Sequence, residues 1–244
     1  MKYLIFSDVH GNLEALEALL TEVAREQPDR IFFLGDAVGY GANPSECLHQ
    51  IAETADLMLA GNHDYAAAGL TSPEFFNPLA REAIFWTQSQ LTPEEKLYLG
   101  SLPVILQFPQ MCLVHSTPRK PAEWHYIFSE DDAAENFPCF SSALCFIGHS
   151  HQVQIITTDG FGNYWRSSGE SIVLEEGHRS IINVGSAGQP RDYDPRGAYC
   201  IYEEDEHKKQ IQIRRFEYDI PKAQHKIIQA GLPYPLAERL SFGA

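Results

Sequence analysis

Five short strings in this 244-residue chain carry side chains that hold metal ions or move protons: Asp8-Val9-His10, Gly35-Asp36, Gly61-Asn62-His63-Asp64, His115, and Gly148-His149-Ser150-His151. Imidazole nitrogens, carboxylate oxygens and one amide oxygen make a donor set of borderline softness. It suits manganese first, with iron, nickel, cobalt or zinc as other fits, and suits calcium poorly. Seven residues qualify as ligands, namely Asp8, His10, Asp36, Asn62, His115, His149 and His151, which is too many for one ion. With Asp36 bridging two ions, the seven side chains make eight bonds, four to each ion, and positions remain for water. Two-metal hydrolytic sites hold their ions about 3.5–4 Å apart and attack with a bridging hydroxide. Two divalent cations outweigh Asp8, Asp36 and that hydroxide by about one positive charge, so an anionic phosphoester is the matching substrate.

Each string directly follows an apolar run, at residues 3–6, 31–34, 57–59, 111–114 and 144–147, and these runs read as buried strands. In open α/β sheets, loops and helix N-termini converge at the carboxyl ends of strands. Polar groups clustered there must be paired or metal-bound. By composition alone, Asp-x-His is expected roughly half a time and Gly-His-x-His roughly 0.03 times, so the joint placement carries the reading. Asn12 is a good N-cap for a helix with Leu13, Leu16, Leu19, Leu20 and Val23 on one face, closed by Pro28. A second helical pattern runs from Asn77 through Ala80, Ile84 and Phe85; Pro93 opens a third, and a last helix falls near residues 222–230. From residue 153 onward, short runs separated by turn residues predict hairpins, at 153–157, 162–166, 171–174, 180–184, 198–202 and 210–218. The expected architecture is one mixed α/β domain over residues 1–244 with two β-sheets.

Composition narrows the classes. There are 33 acidic and 18 basic side chains, a net charge of −15, which argues against extended nucleic acid because phosphate contacts need clustered Lys and Arg. No apolar run reaches the ~18 residues of a membrane span. Asp8 and His10 stand too early for a signal peptide, so a cytoplasmic protein is expected. The five cysteines are odd in number and form no C-x-x-C pair, against both a disulfide framework and structural zinc. His49, His178, His207 and His225 read as surface residues, and the acidic cluster Glu203 to Glu206 before Lys208 and Lys209 as a solvated hairpin end.

The order of the strings, D-x-H, G-D, G-N-H-[DE], a lone H after a strand and G-H-x-H, resembles that of the calcineurin-like, binuclear metallophosphoesterases. The likeness extends over nearly the whole chain. The segment from Asn183 to Arg191 is similar to the glycine-serine stretch of compact bacterial and archaeal members, and His115-Ser116-Thr117-Pro118-Arg119 to their H-G-S-P-R loop. The resemblance implies a four-layer α/β/β/α sandwich. It also implies Asp8, His10, Asp36 and His151 around one ion and Asp36, Asn62, His115 and His149 around the other. His63 is then the residue that stabilises the transferring phosphoryl group or protonates the leaving oxygen, with Asp64 tuning it. A charged neighbour can shift an imidazole's titration and orient its tautomer.

The departures bear on substrate. Serine/threonine phosphatases of the superfamily carry an Arg in G-D-x-x-x-R-G, where this chain has Tyr40, which disfavours a protein phosphatase and weakens a dinucleoside tetraphosphatase reading. Arg119 and Arg191 are candidates to replace that guanidinium, and Asn12 to offer an amide, although helix capping explains Asn12 equally well. Trp124, His125 and Tyr126 read either as a packed or mobile lid or as a platform for an aromatic group. The function expected is metal-dependent hydrolysis of a small phosphomonoester or phosphodiester, nucleotides included. Its rival is a catalytically silent scaffold of the same fold that binds a protein partner.

Overall fold

The computed structural model describes residues 1–167, 171–205 and 209–244. One six-stranded sheet has the order β3 (Leu57–Met58), β2 (Arg30–Phe33), β1 (Lys2–Phe6), β11 (Gly197–Glu204), β12 (Lys209–Phe216) and β9 (Ser171–Val173). The other runs β4 (Ile105–Gln107), β5 (Met111–Val114), β6 (Leu144–Ile147), β10 (Arg179–Val184), β7 (Val153–Thr158) and β8 (Tyr164–Arg166). Both sheets are mixed. In the first, β1, β2 and β3 are parallel and the remaining pairings antiparallel. In the second, β5, β6 and β10 are parallel, with antiparallel partners outside them.

Three apolar cores separate four layers. Ile5, Leu34, Leu113, Phe146, Ile182 and Cys200 fill the space between the sheets. Outside the first sheet, Phe6 and Phe33 meet Leu16 and Leu19 of α1 (Leu13–Glu26) and Leu48 and Ile51 of α2 (Pro44–Thr54). Outside the second, Cys112, Val114 and Cys145 meet Ala133 of α6 (Glu130–Asn136) and the adjoining Phe137 and Phe140. The remaining helices, of eight among the described residues, are α3 (Asn62–Ala67), α4 (Pro78–Gln90), α5 (Pro93–Ser101), α7 (Ile220–Gln229) and α8 (Tyr234–Glu238). None is long and apolar enough to cross a membrane.

Local sequence accounts for the helix bounds. Asn12 Oδ1 accepts the Ala15 amide (3.2 Å), and Gln27 takes a left-handed conformation before Pro28 stops the helix. Thr92 and Glu95 close a capping box at α5, beside Pro93 at the first helical position. Phe85, expected on a buried face of α4, is 51% exposed; Ala80, Ala83 and Ile84 form the buried side instead. α2 is not among the expected helices, although Pro44, Cys47, Leu48 and Ile51 form its buried face behind an Asn-Pro start like that of α4. Of the polar sites read as surface, His49 and His225 are exposed, whereas His178 packs edge-on against Trp165. Glu204 pairs with Lys209 across the hairpin (2.7 Å), and Glu206, His207 and Lys208 lie outside the described residues.

Candidate metal centre

All five motif strings follow parallel strands, and the topology brings their ends together. Loops after β1, β2 and β3 supply Asp8, His10, Asp36 and Asn62 from the first sheet; loops after β5 and β6 supply His115, His149 and His151 from the second. The seven side chains are at most 8% exposed. Asp8, His10, Asp36, His149 and His151 all have φ between 52° and 67°, a left-handed backbone rare for residues with a Cβ. Such strain persists only where surrounding bonds hold it, and it concentrates at functional sites. At Asp8 those bonds are visible. Ser186 Oγ and the Gly188 amide both donate to the Asp8 carbonyl, at 2.8 and 3.0 Å. Position 188 must lack a side chain, since a Cβ there would stand 1.9 Å from the Val9 carbonyl oxygen.

Hydrogen bonds at one face of each imidazole leave the other face pointing inward. Nδ1 of His10, His115 and His151 donates to the carbonyls of Val38 (3.1 Å), Leu34 (3.0 Å) and Gln189 (2.6 Å). In the neutral rings Nε2 is thereby the lone-pair nitrogen of all three. His149 is reversed: its Nε2 donates to the Trp124 carbonyl (2.9 Å), which leaves Nδ1. The Nε2 atoms of His10 and His151 face each other at 3.0 Å. Two nitrogens bonded to one ion stand about 2.9–3.3 Å apart, given bonds of about 2.0–2.1 Å. Asp36 Oδ2 lies 3.6 Å from His10 Nε2 and 3.3 Å from His115 Nε2, between the two halves of the cluster. Asp8 Oδ1, Asn62 Oδ1 and His115 Nε2 are buried without a hydrogen-bond partner. Unpaired buried donors and acceptors are costly; Asp8 Oδ1 and His115 Nε2 stand 4.0 Å apart, and Asn62 lines the same cavity as Asp36, His149 and His151. Two triplets, Asp8 with His10 and His151 and Asp36 with His115 and His149, each have ligand atoms within 4.8 Å of one another. A third joins His10, Asp36 and His63, so His63 also stands within ligand distance.

Electrostatics agree with a site built for positive charge. Burial disfavours ionisation of Asp8 and Asp36, yet the surrounding imidazoles, His151 foremost at Asp8 and His115 at Asp36, hold both below the usual carboxylate range. At His115 burial opposes the imidazolium, but Asp36 and Asp8 prevail and raise it to about 9. Burial lowers His63 to about 4 and His149 to about 3.

The two residues assigned to catalysis part ways. His63 lines a cavity of about 530 Å³ together with Asp36, Asn62, His149 and His151, and Nδ1 of its ring has no hydrogen-bond partner. Asp64 does not orient that ring. Its Oδ2 accepts the amides of Asp36 (2.7 Å) and Gly61 (3.0 Å), and Oδ1 that of Val38 (3.2 Å). The carboxylate thus pins the Asp36 loop to the start of α3, while burial and the nearby Asp36 charge push it up to about 7.

The substrate-binding candidates also separate. Arg191 lines the cavity; its Nη2 donates to Gln189 Oε1 (2.7 Å) and its Nε has no partner. Arg119 pairs with Glu135 and lines a different depression, its backbone N–H donating to Asn136 Oδ1 (3.1 Å) at the same helix α6. Asn12 is spent on capping α1 and on the Gly188 carbonyl (2.7 Å) and does not reach the cavity. The stretch 122–126 is packed against the cluster: Tyr126 stacks on His149 (4.1 Å, 13°) and Trp124 meets His115 edge-on (6.0 Å, 71°). Sequence reasoning missed Thr71, Phe75 and Phe76 in the cavity lining, since they have no period and lie next to no motif, and read Asn77 only as the start of a helix.

The comparisons with known proteins agree with this geometry. A family model described as the calcineurin-like phosphoesterase superfamily domain matches residues 1–207. A metallophosphoesterase from Sphaerobacter thermophilus superposes with a TM-score of 0.88 at 42% identity, over 100% of this chain and 99% of that one. An uncharacterised protein of Methanocaldococcus jannaschii is 40% identical over 244 residues, 98% of this chain and 97% of its own length. A hypothetical protein from Pyrococcus horikoshii shares the fold, with a TM-score of 0.79 at 16% identity over 100% of this chain and 98% of that one.

Proposed function

The chain belongs to the calcineurin-like phosphoesterase superfamily, and on that premise we propose that it hydrolyses a small phosphomonoester or phosphodiester with two divalent transition-metal ions, manganese foremost. Asp8, His10, Asp36 and His151 would hold one ion and Asp36, Asn62, His115 and His149 the other. The observation that carries this reading is that Asp8 Oδ1 and His115 Nε2, 4.0 Å apart, and Asn62 Oδ1 are all buried without a hydrogen-bond partner at the strand ends of the two sheets. Once bound, the ions would lower the pKa of a coordinated water and neutralise the phosphoryl oxygens.

The chain's own groups do the rest. His63 faces the cavity beside Asp36 and, neutral at pH 7, donates an N–H to a phosphoryl oxygen; the substrate's negative charge favours the protonated ring that a leaving oxygen needs. Arg191 grips the phosphate with the planar fork that Tyr40 cannot provide. Asp64 keeps Asp36 in register with His63. Five free cysteines suit a reducing, cytoplasmic setting.

Hydrolysis of p-nitrophenyl phosphate and of its bis ester with added manganese, abolished by chelator and restored by the metal, is the expected result. Absence of turnover over a broad phosphoester panel at saturating manganese would overturn the proposal.

A further inference from the structure

The walls of the 530 Å³ cavity are unlike its floor. The floor is the ligand cluster. Aromatic side chains from two separate stretches line it as well, Phe75 and Phe76 from one and Trp124 and Tyr126 from the other. Two of the four are already engaged face to face or against the floor. Tyr126 stacks on both His149 and Phe128, and Phe76 meets His63 edge-on. Phe75 and Trp124 are different. Trp124 touches Tyr65 and His115 only through T-shaped contacts, at 83° and 71°, and among the described residues no ring stacks on Phe75, which is 84% exposed.

Trp124 is also held in place. Its backbone has φ 57°, and its carbonyl accepts the His149 Nε2 hydrogen bond, so the wall is fixed to the floor rather than hinged over it. Thr71 and Asn77 line the cavity as well; Asn77 Oδ1 caps α4 by accepting the Ala80 amide (3.0 Å), which leaves its Nδ2 to a ligand. Among the described residues Arg191 is the cation that lines this cavity. One bidentate guanidinium matches the oxygens of a single phosphoryl group.

From these surfaces we propose that the site takes a nucleobase-bearing ester with one phosphoryl group, the base lying against Phe75 and Trp124 with its edge toward Thr71 and Asn77. The inference rests on the phosphoesterase reading and sharpens it to a substrate class. Stacking of a base on an aromatic ring is worth about tenfold or more in affinity, which sets the size of the effect sought.

Adenosine 5′-phosphate and ribose 5-phosphate share a leaving alcohol and differ only in the base. Binding of each to the metal-free and manganese-loaded protein is measured by calorimetry, and turnover of each by phosphate release. The expected result is at least about tenfold tighter binding of the nucleotide, equivalent to about 1.4 kcal/mol. In Phe75→Ala, whose side chain lies outside the core, that ratio falls severalfold. Equal affinities for the two compounds overturn the inference, whatever the turnover. Equal affinities with turnover of both leave a hydrolase without base recognition. Base-selective binding with no turnover of any phosphoester keeps the inference and removes the hydrolase reading. Adenosine 5′-triphosphate binding tenfold tighter than the monophosphate to the metal-free protein would overturn the single-phosphoryl part.

Discussion

The backbone N–H of His63 donates to Oδ1 of Asp36 at 2.8 Å, so the chain segment bearing the cavity imidazole is fastened to the carboxylate at the middle of the cluster. One oxygen of Asp36 positions His63 and the other faces His10 and His115. Asp36→Asn keeps an acceptor for the amide but loses the charge that two cations would share. It is expected to lower bound metal and nearly abolish turnover. His63→Ala is expected to keep its metal and lose about 10²–10⁴ in rate. Metal content measured beside kcat separates the two, and a fully active His63→Ala protein would remove the role given to that ring.

Asp64 offers a second test. Its carboxylate satisfies three backbone amides, and Asp64→Ala strands them at a cost on the order of 3 kcal/mol. Asp64→Asn is the milder change. If Asp64 holds the Asp36 loop, this variant loses metal affinity while the pH–rate profile keeps its shape. A profile displaced along the pH axis at full metal loading would instead show Asp64 acting on His63.

The two arginines are expected to behave oppositely. Arg119→Ala removes a solvent-exposed pair with Glu135, and such pairs contribute about 0–1 kcal/mol. KM and the unfolding midpoint should be nearly unchanged. Arg191→Ala takes the guanidinium out of the cavity and should raise KM for phosphoesters by about tenfold or more. A KM effect at Arg119 as large as that at Arg191 would contradict the place of Arg119 in a separate depression.

The histidine cluster predicts how the chelated protein responds to pH. Burial lowers His63 to about 4 and His149 to about 3, and lowers His10 and His151 as well. Unfolded imidazoles take up protons below about 6.5. Below that pH the unfolded chain binds more protons, so stability falls as pH falls toward 4 and 3. Asp64, pushed up to about 7, opposes this by one proton. His115, raised to about 9, contributes stability that is fully present below about 6.5 and lost as pH rises through 9. Urea midpoints should therefore peak between about pH 6.5 and 7 and drop markedly by pH 5. A flat profile from pH 8 to 5 would refute the balance.

Much of the centre could be read from sequence because each ligand string abuts a buried strand, and parallel strands end on the same edge of their sheet. The runs at 3–6, 31–34, 111–114 and 144–147 are four residues each, of almost unbroken apolar character, and the strands observed differ from them by at most one residue at either end. What escaped depends on groups distant in the chain. Asp64 meets amides 26 and 28 residues away, and no local pattern announces that Asp36 and Val38 will present them. Arg119 sits in a motif-like loop, yet its partners are Glu135 and Asn136 of α6. Gly61 looks like a turn glycine but has φ −100°; its missing Cβ matters because one would fall 2.0 Å from Asp36 Oδ1.

The division of the ligand set between two sheets has a mechanical consequence. Asp8, His10, Asp36 and Asn62 belong to one layer and His115, His149 and His151 to the other. Any ion shared among them rivets the two halves of the sandwich at their rim, where the interlayer packing gives way to loops. Metal supply then governs how firmly the halves are joined as well as whether the centre is armed, and scarcity of the ion should register as an earlier melting of the entire fold.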